Sequence, residues 1–586
     1  MRFWFQFPET LSSDATRAQR RRSLLLATCL IAVLPLAWRG TSCGQDFDFH
    51  LQSWLEVVDH WHHGILWPHW AASANYLAGE PRFIFYPPLS WVLGGLLGLV
   101  LPWSWTPVAF ALLALFGAGL AFRTMAREWM PLDSATIAAC LYVVNPYMMF
   151  VVYERGALAE LLAATSIPLL VLFALRERRS FVPLALTVAA LWLTNLPAAV
   201  MGSYTLAVLV TVVALVQRRW RLIVRAAAAV PLGLGLAGFW LVPAIYEQRW
   251  VQIQRAIGPL IRVEDSFLFG FVPLPAGTAS ERFETIYHNG VLGTVSWIAV
   301  AVIAGVAVAA WLARRNRASL WTPLAVLGVG LVFLQFPWSD PLWRHIPELE
   351  FLQFPWRWLL VLALVFAALA GLAMRSEQTT RRAIARRGPI ALVLAAGMAM
   401  VSAIWFWQPC DDQDNITAQT AALHSTGFEG SDEYTPQGAD NGEVQQGLPE
   451  IRLLRSADAE EATTEDNPQW NGEPAQEIPG AIALADAGPE HIVASIGSTV
   501  AGYAVLRVMD YPAWRVTVNG AEVRDHPRRN DGLMVIPIAA GTNHLEVRWR
   551  ETADQWIGIG LSLAALAITL AVAWKERRRP DANRIR

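Results

Sequence analysis

Charged residues are scarce in this sequence of 586 residues. Only 16% are Asp, Glu, Lys or Arg, against about 25% in an ordinary soluble domain, and 54% are hydrophobic. The apolar residues are gathered into runs of the length needed to cross a bilayer, which takes about 20 residues of helix. The scarcity of charge therefore excludes a soluble multidomain protein and predicts a membrane protein, most of whose chain is one helix bundle.

Neither sign of charge is in excess, because 46 Lys and Arg stand against 48 Asp and Glu. This balance excludes a nucleic-acid-binding character based on bulk charge. Lysine occurs once, at Lys575, so arginine carries almost all of the positive charge. We interpret this as a coding bias without functional meaning.

Cysteine is also rare. The four cysteines, Cys29, Cys43, Cys140 and Cys410, are too few and too scattered for a disulfide framework or a zinc site. Cys43 and Cys410 each follow the outer end of a predicted span, so a bridge between them is geometrically conceivable. We nevertheless expect unpaired thiols.

Thirteen apolar runs are candidates for membrane spans. The first lacks the small-residue cleavage site of a signal peptide, so we expect an uncleaved span whose N-terminus is inside. The runs are 23–38, 86–102, 106–122, 134–150, 157–175, 181–198, 200–216, 222–246, 290–312, 320–336, 357–374, 389–407 and 555–574.

Arginine clusters mark the inner ends of the spans. A chain that starts and ends inside needs an even number of crossings, so one run does not cross. Run 86–102 is the weakest, because it opens with Tyr86-Pro87-Pro88, contains three glycines and ends at Pro102. We expect twelve spans and one re-entrant or surface helix. The clusters are Arg123/Arg127, Arg176/Arg178/Arg179, Arg218/Arg219/Arg221, Arg314/Arg315/Arg317, Arg381/Arg382/Arg386/Arg387 and the tail after Lys575.

This topology divides the chain into five parts in a cell inner (cytoplasmic) membrane. They are a cytoplasmic tail at 1–22, a transmembrane bundle at 23–408 with a first outer loop at 39–105, an extracytoplasmic β-rich domain at 409–553, a last transmembrane helix at 554–574 and a cytoplasmic tail at 575–586.

The insert before the last span has strand patterning. Its first half, to about residue 490, is acidic and rich in Gly, Pro, Ser and Thr, whereas 491–553 alternates apolar and polar residues. Asn519-Gly520 between two alternating segments is a strong signal for a two-residue hairpin. We predict a small antiparallel β-sandwich, with Trp514 near its core.

The first outer loop carries two aspartates just before a predicted helix. Leu51, Trp54, Leu55 and Val58 recur at helical spacing, and Gly64 is a stop signal, so we expect a helix on the membrane surface with Glu56 and His60 on other faces. Asp46 and Asp48 form an acidic pair that is able to act as a general base or to hold a divalent cation such as Mg or Mn. The alternative is that either aspartate only caps the helix.

Three further charges lie at the outer ends of spans. Glu160 falls inside an apolar run, where a charge costs about 2.5 to 3.5 kcal/mol, so we expect it to face a cavity or a cation, with Arg155 as its nearest partner. Arg357 is placed to bind a phosphate bidentately. The alternatives are a structural ion pair for the first two and an interfacial anchor for Arg357. Glu247 adds a carboxylate that is uninformative by itself.

Several of these residues lie in motifs that resemble a known family, the bacterial multi-pass membrane proteins named for a 6-pyruvoyl-tetrahydropterin-synthase-related domain. That name does not imply pterin chemistry. The layout also resembles the GT-C class of glycosyltransferases, in which a first outer loop carries an acidic catalytic residue. Asp48 is additional to the family pattern. The motifs are Asp46 with His50, Trp67-Pro68 with Trp70, Phe85-Tyr86-Pro87-Pro88, Arg155 to Glu160, Leu241 to Ala244 with Glu247, and Gln353 to Arg357.

The resemblance implies a mainly α, GT-C-like bundle and a transferase that takes sugar from a polyprenyl-phosphate donor and passes it to a glycan or lipid acceptor. Asp46 or Asp48 would be the base, and Arg155 and Arg357 would hold the leaving phosphate. His50, Tyr86, Glu160, Glu247 and Gln353 complete the expected substrate-binding set. The bilayer is a partner and nucleic acid is not. The alternatives are a transporter or flippase and a non-catalytic scaffold.

Overall fold

The computed structural model describes residues 9–177, 179–316, 319–374, 383–458, 466–472 and 477–578. The ends of both predicted tails, 1–8 and 579–586, lie outside these residues, as do Arg178, Arg317, Arg381 and Arg382 of the predicted inner clusters. The described part contains a helical bundle and, near the C-terminus, two antiparallel sheets. The predicted fold class, a mainly α membrane bundle with a β-sandwich, is confirmed.

The described residues form twenty-one α-helices. These are α1 Glu9–Arg39, α2 Phe47–His62, α3 Ala74–Leu77, α4 Arg82–Phe85, α5 Pro88–Val100, α6 Thr106–Ala126, α7 Leu132–Val143, α8 Pro146–Phe150, α9 Leu158–Ala163, α10 Ser166–Leu175, α11 Phe181–Trp192, α12 Leu196–Gln217, α13 Arg221–Leu236, α14 Gly238–Glu247, α15 Ala279–Ala313, α16 Trp321–Phe333, α17 Asp340–His345, α18 Leu359–Ala373, α19 Ala383–Val401, α20 Ile416–Ala422 and α21 Ala553–Arg578.

Eight of the helical segments in the described ranges are long and apolar enough to cross a membrane, and eleven crossings result if each of three bent pairs is one span. The sharpest bends are 78° between α13 and α14 and 100° after α16. The one remaining predicted span, 181–198, corresponds to α11, which has only 12 residues. At 1.5 Å per residue it is about 18 Å long, against about 30 Å of hydrocarbon.

Helix α5 occupies the run that we predicted not to cross. Its 13 residues are also too short for a full span. It packs against α2 at Gly94, where a Cβ atom would lie 2.2 Å from the Trp54 indole. The glycine is therefore required by the close approach of the two helices.

Helix α2 is present as predicted and is followed by Gly64 with φ +81°. Glu56 and His60, which we expected on the outer faces of this helix, are instead buried. The location of α2 at the membrane surface stays a prediction. Glu56 accepts a hydrogen bond from the Ser73 backbone N–H at 2.5 Å. Helices α5 and α20 cover α2, and the sequence pattern of α2 alone does not reveal those covers.

Eight strands form two antiparallel sheets, ordered β1-β4-β7 and β2-β3-β8-β5-β6. The inward residues of both sheets share one hydrophobic core, so the domain is a sandwich. Its first strand begins at Ile451, before the region in which we predicted strands, 491–553. The strands are β1 Ile451–Leu454, β2 Gly480–Gly488, β3 His491–Ser498, β4 Gly502–Met509, β5 Trp514–Val518, β6 Ala521–Val523, β7 Leu533–Ile538 and β8 Gly541–Trp549.

The predicted hairpin is confirmed. Val518 pairs with Ala521 across a turn in which Asn519 has φ +53° and Gly520 φ +80°. Two positive φ angles are what a type I′ turn requires. Trp514 is buried in the core of the sandwich.

Cys43 and Cys410 form a disulfide with a Cα–Cα distance of 5.0 Å. The prediction of unpaired thiols is therefore wrong for these two and correct for Cys29 and Cys140, which are buried and free. A separation of 367 residues hides such a pairing from any local pattern. The bond joins the start of the first loop to the start of the insert.

Candidate functional site

A short π-helix, Val151–Arg155, places Arg155 beside the first loop. It ends at Gly156 with φ +60°, and a Cβ atom there would lie 2.9 Å from Phe47. The Asp46 backbone N–H donates to the Arg155 carbonyl at 2.7 Å. The chain around Arg155 is therefore fixed to the chain around Asp46 by backbone contacts.

Asp46 holds the N-cap position of α2, but its carboxylate makes no capping hydrogen bond. Instead Oδ2 accepts from Nη2 of Arg155 at 2.7 Å. The Asp46 side chain remains 40% exposed, whereas that of Arg155 is 1% exposed. The carboxylate thus has a buried cation on one side and solvent on the other.

Asp48 has different surroundings from Asp46. Its Oδ1 accepts from the backbone N–H of Phe49 at 2.8 Å. Burial raises the pKa of Asp48 above its ordinary value, and the negative charge of Asp46 adds to this increase. The two predicted aspartates are neighbours in sequence, but Asp46 is the one that pairs with an arginine.

Glu160 is the second carboxylate bound to Arg155. Its Oε2 lies 3.0 Å from Nη1 of Arg155 and 3.8 Å from Nε of Arg357, and its Oε1 accepts from the Tyr147 hydroxyl at 2.6 Å. All four side chains are buried. Arg155 is therefore a partner of Glu160, as predicted.

The two arginines keep donors unused. The Nε atoms of Arg155 and Arg357 are buried without a hydrogen-bond partner. Both guanidinium groups also lie near the ring of Phe354, at 5.6 and 5.1 Å from its centroid. Buried donors without partners are costly, so these atoms are suited to an anionic group that enters the site.

His50 and Tyr86 support the same cluster from α2 and the start of α5. The Ala159 backbone N–H donates to Nε2 of His50 at 3.4 Å, and the Tyr86 hydroxyl lies 3.4 Å from Nδ1. Burial lowers the pKa of His50 to about 4, and the positive charge of Arg155 opposes the effect of Asp46. His50 is therefore neutral near pH 7, with its proton on Nδ1.

Two predicted site residues lie elsewhere. Glu247 accepts from the Tyr511 hydroxyl at 2.6 Å and from Nε2 of Gln555 at 3.1 Å, at the contact between the bundle and the β-domain. Gln353 donates to the carbonyl of Ala256 at 2.8 Å. Neither has a described contact with Arg155, Glu160 or Arg357.

Sequence reasoning missed Tyr147, which hydrogen-bonds Glu160 from inside the bundle. The signal was Asn145-Pro146: the Asn145 side chain caps α8 and Pro146 occupies its first turn, which interrupts the apolar run. It also missed Trp356, whose ring centroid lies 5.1 Å from the Arg155 guanidinium.

A divalent cation does not fit the two aspartates. Asp46 is engaged by Arg155 and Asp48 by a backbone N–H. Within the described ranges no group of three or more His, Cys, Asp or Glu side chains is arranged to hold a metal ion. The proposed chemistry therefore uses no step through a metal.

Comparison with known proteins assigns the chain to one family. The family model of the 6-pyruvoyl-tetrahydropterin synthase related domain, described as a membrane protein, matches residues 83–408, more than half of the chain. No curated protein matches the sequence. Among solved structures, the chain is similar to the cryo-EM structure of the arabinofuranosyltransferase AftD from Mycobacteria, with 14% identity and a TM-score of 0.42 over 91% of this chain and 57% of that chain. The chain thus spans less than two thirds of that protein's length.

Proposed function

The chain belongs to the family of membrane proteins with a 6-pyruvoyl-tetrahydropterin synthase related domain, and we propose that it is a membrane glycosyltransferase of GT-C type. It transfers a sugar from a polyprenyl-phosphate donor to a cell-envelope acceptor at the outer face of the inner membrane. The observation that carries this proposal is a solvent-facing carboxylate, Asp46, paired with a buried arginine beside a second arginine with an unused donor.

Asp46 is the general base in this reaction. The acceptor hydroxyl gives its proton to the carboxylate as its oxygen forms a bond to the anomeric carbon of the donor sugar. The bond between that carbon and the phosphate oxygen breaks, and its electron pair leaves with the lipid phosphate. The exposed side of Asp46 is accessible to a hydroxyl, whereas the buried carboxylate of Glu160 is not.

Arg155 and Arg357 stabilise the leaving phosphate. Their two positive charges are balanced by Asp46 and Glu160, so the resting cluster is neutral. When Asp46 takes up the proton, the cluster gains one positive charge at the moment when the phosphate gains one negative charge. Charge that develops in this way is stabilised most effectively by fixed, buried donors.

The outer location has two independent supports. Arginines cluster at the opposite ends of the spans, as at cytoplasmic ends. The Cys43–Cys410 disulfide joins the first loop to the insert, and disulfides persist in oxidising compartments outside the cytoplasm. Both support an outer position for the site, the first loop and the β-domain. Cytoplasmic termini additionally require that α11 is a twelfth crossing.

The test is an assay of the purified protein in lipid with radiolabelled polyprenyl-phosphate sugars and envelope glycan or lipid acceptors. Transfer of label to an acceptor, with release of polyprenyl phosphate, supports the proposal. Movement of the intact labelled lipid between leaflets without transfer would instead identify a flippase.

A further inference from the structure

A cavity of about 400 Å³ lies between the bundle, the first loop and the β-domain. Its walls come from the segment after α2, from α4 and α14, from the turn between β2 and β3, and from the start of α21. None of Asp46, Arg155, Glu160 and Arg357 lines it. The cavity is therefore distinct from the proposed catalytic cluster.

Aromatic rings form one side of this cavity. Trp67 is partly exposed and packs against Phe239 with ring centroids 5.3 Å apart. Trp240 also lines the cavity, and its indole N–H is buried without a hydrogen-bond partner. A ligand here meets flat apolar faces.

The polar side of the cavity consists mainly of acceptors. Glu490 is held by His69, whose backbone N–H donates to its Oε1 at 2.7 Å. Burial raises the pKa of Glu490, but the His69 contacts outweigh it, so the net shift is downward and the carboxylate is charged. Glu551, which is exposed, and Gln555 complete this side.

No arginine or lysine is among the described residues that line the cavity. Two carboxylates without an arginine or lysine repel an anion, so a lipid phosphate does not fit here as it does beside Arg357. A ligand must instead donate hydrogen bonds to the carboxylates and cover aromatic faces. A sugar ring has hydroxyl groups that donate hydrogen bonds and an apolar face of C–H groups.

We infer that this cavity binds the neutral saccharide head group of a membrane glycolipid, which serves as the acceptor side of the reaction. The wall formed by Phe239 and Ile559, on two membrane helices, takes the adjoining part of the lipid chain. The acceptor role rests on the proposed function, whereas saccharide binding does not.

The experiment uses the full-length protein in lipid nanodiscs and an alkyl glucoside with a photoreactive diazirine next to the sugar. After irradiation, mass spectrometry identifies the labelled peptides. We expect label in 65–69 and 239–243, suppressed by excess unlabelled alkyl glucoside. Alkyl phosphate and alkyltrimethylammonium of the same chain length should not suppress it. Suppression by either of these instead would overturn the assignment to a neutral saccharide.

Variants then test the contacts. Glu551→Gln removes an exposed charge without disturbing a buried pair, and Trp67→Leu removes an aromatic face. Each should lower the labelling about tenfold, as expected for the loss of one strong contact. Trp220→Leu, at an exposed tryptophan outside the cavity, should leave it unchanged.

Equal labelling in all three variants would overturn the site. Because no donor or turnover is involved, this result is independent of the proposed function. If the wild-type protein is labelled in the cavity but shows no transferase activity, the proposed function is refuted and the saccharide site is still supported.

Discussion

Arg155 is shared between two carboxylates of different character. Asp46 is partly exposed and Glu160 is buried, so only Asp46 can receive a proton from a substrate in solvent. The position of Glu160 follows from the cost of a charge in an apolar run. In the proposed mechanism, Glu160 keeps Arg155 oriented while Asp46 changes its charge.

Arg357 provides the clearest residue-scale prediction for the phosphate. Arg357→Ala removes a buried donor and should lower kcat/KM about 10²- to 10³-fold, as for the loss of one preorganised charge stabiliser. Arg357→Lys should recover only part of this activity, because an ammonium lacks the planar fork. The measurement is steady-state turnover of the labelled donor.

Arg344→Ala is the matched control for Arg357. The Arg344 side chain is 59% exposed and forms an ion pair with Asp340, and such surface pairs contribute little. An Arg357→Ala protein that turns over as fast as Arg344→Ala would exclude a role in holding the phosphate.

His50 predicts a pH dependence of stability. The folded protein protonates His50 near pH 4, against 6.5 for the free side chain, so between these values the unfolded chain holds more protons. The contribution of neutral His50 to the free energy of unfolding is fully present above pH 6.5. It decreases by about 3 kcal/mol as the pH falls to 4. We expect His50→Gln to remove this part of the decrease in Tm. Equal slopes of Tm against pH in both proteins would contradict a buried neutral His50.

At the scale of elements, the sequence pattern predicted those helices and turns that are determined by neighbouring residues in the chain. Helical spacing predicted α2, and Asn519-Gly520 predicted the β5–β6 hairpin. The burial of α2 was missed because its covers, α5 and α20, are set by tertiary packing. Strand β1 was missed because it lies in an acidic, turn-rich stretch and gains its place only by pairing with β4.

The hairpin can be tested at Gly520. No atom lies within 4 Å of a Cβ built there, so Gly520→Val has only the backbone cost of a positive φ, about 1–2 kcal/mol. We expect the β-domain to become more sensitive to limited proteolysis in the full-length protein. Gly488→Val is the control, since Gly488 lies in a strand and has no positive φ. Equal sensitivity of both variants would contradict the turn.

If α5 does not cross the membrane, Ser104, which follows it, lies on the outer side. A cysteine at Ser104, in a background with Cys29 and Cys140 replaced by serine and the Cys43–Cys410 bond retained, should react with an impermeant maleimide in spheroplasts. A cysteine at Glu177, at a predicted inner end, should react only after permeabilisation. Protection at Ser104 until permeabilisation would mean that α5 crosses the membrane.

At the scale of the whole molecule, the proposed catalytic cluster joins distant parts of the chain. Asp46 and Arg155 are 109 residues apart, and no sequence pattern specifies their contact. The resemblance nevertheless selected Asp46, His50, Arg155, Glu160 and Arg357, which the fold brings together. It also included Glu247 and Gln353, which have other partners. The family match begins at residue 83, so the proposed base lies before the matched region.

The β-domain is held to the bundle by several contacts of different kinds. Glu247 binds Tyr511, the Met509 backbone N–H donates to the Ala78 carbonyl at 2.8 Å, and Val251 pairs with Pro436. The Cys43–Cys410 bond adds a covalent link near Asp46. These contacts join the β-domain to the helical part of the chain at several separate points.

The most direct test of the central claim is the turnover of polyprenyl-phosphate sugar by Asp46→Asn beside Asp48→Asn. The asparagine keeps the shape of each side chain and removes its affinity for a proton. We expect Asp46→Asn to lower kcat by about two to four orders of magnitude with little change in donor binding, and Asp48→Asn to retain most activity. Full activity in Asp46→Asn would contradict the account.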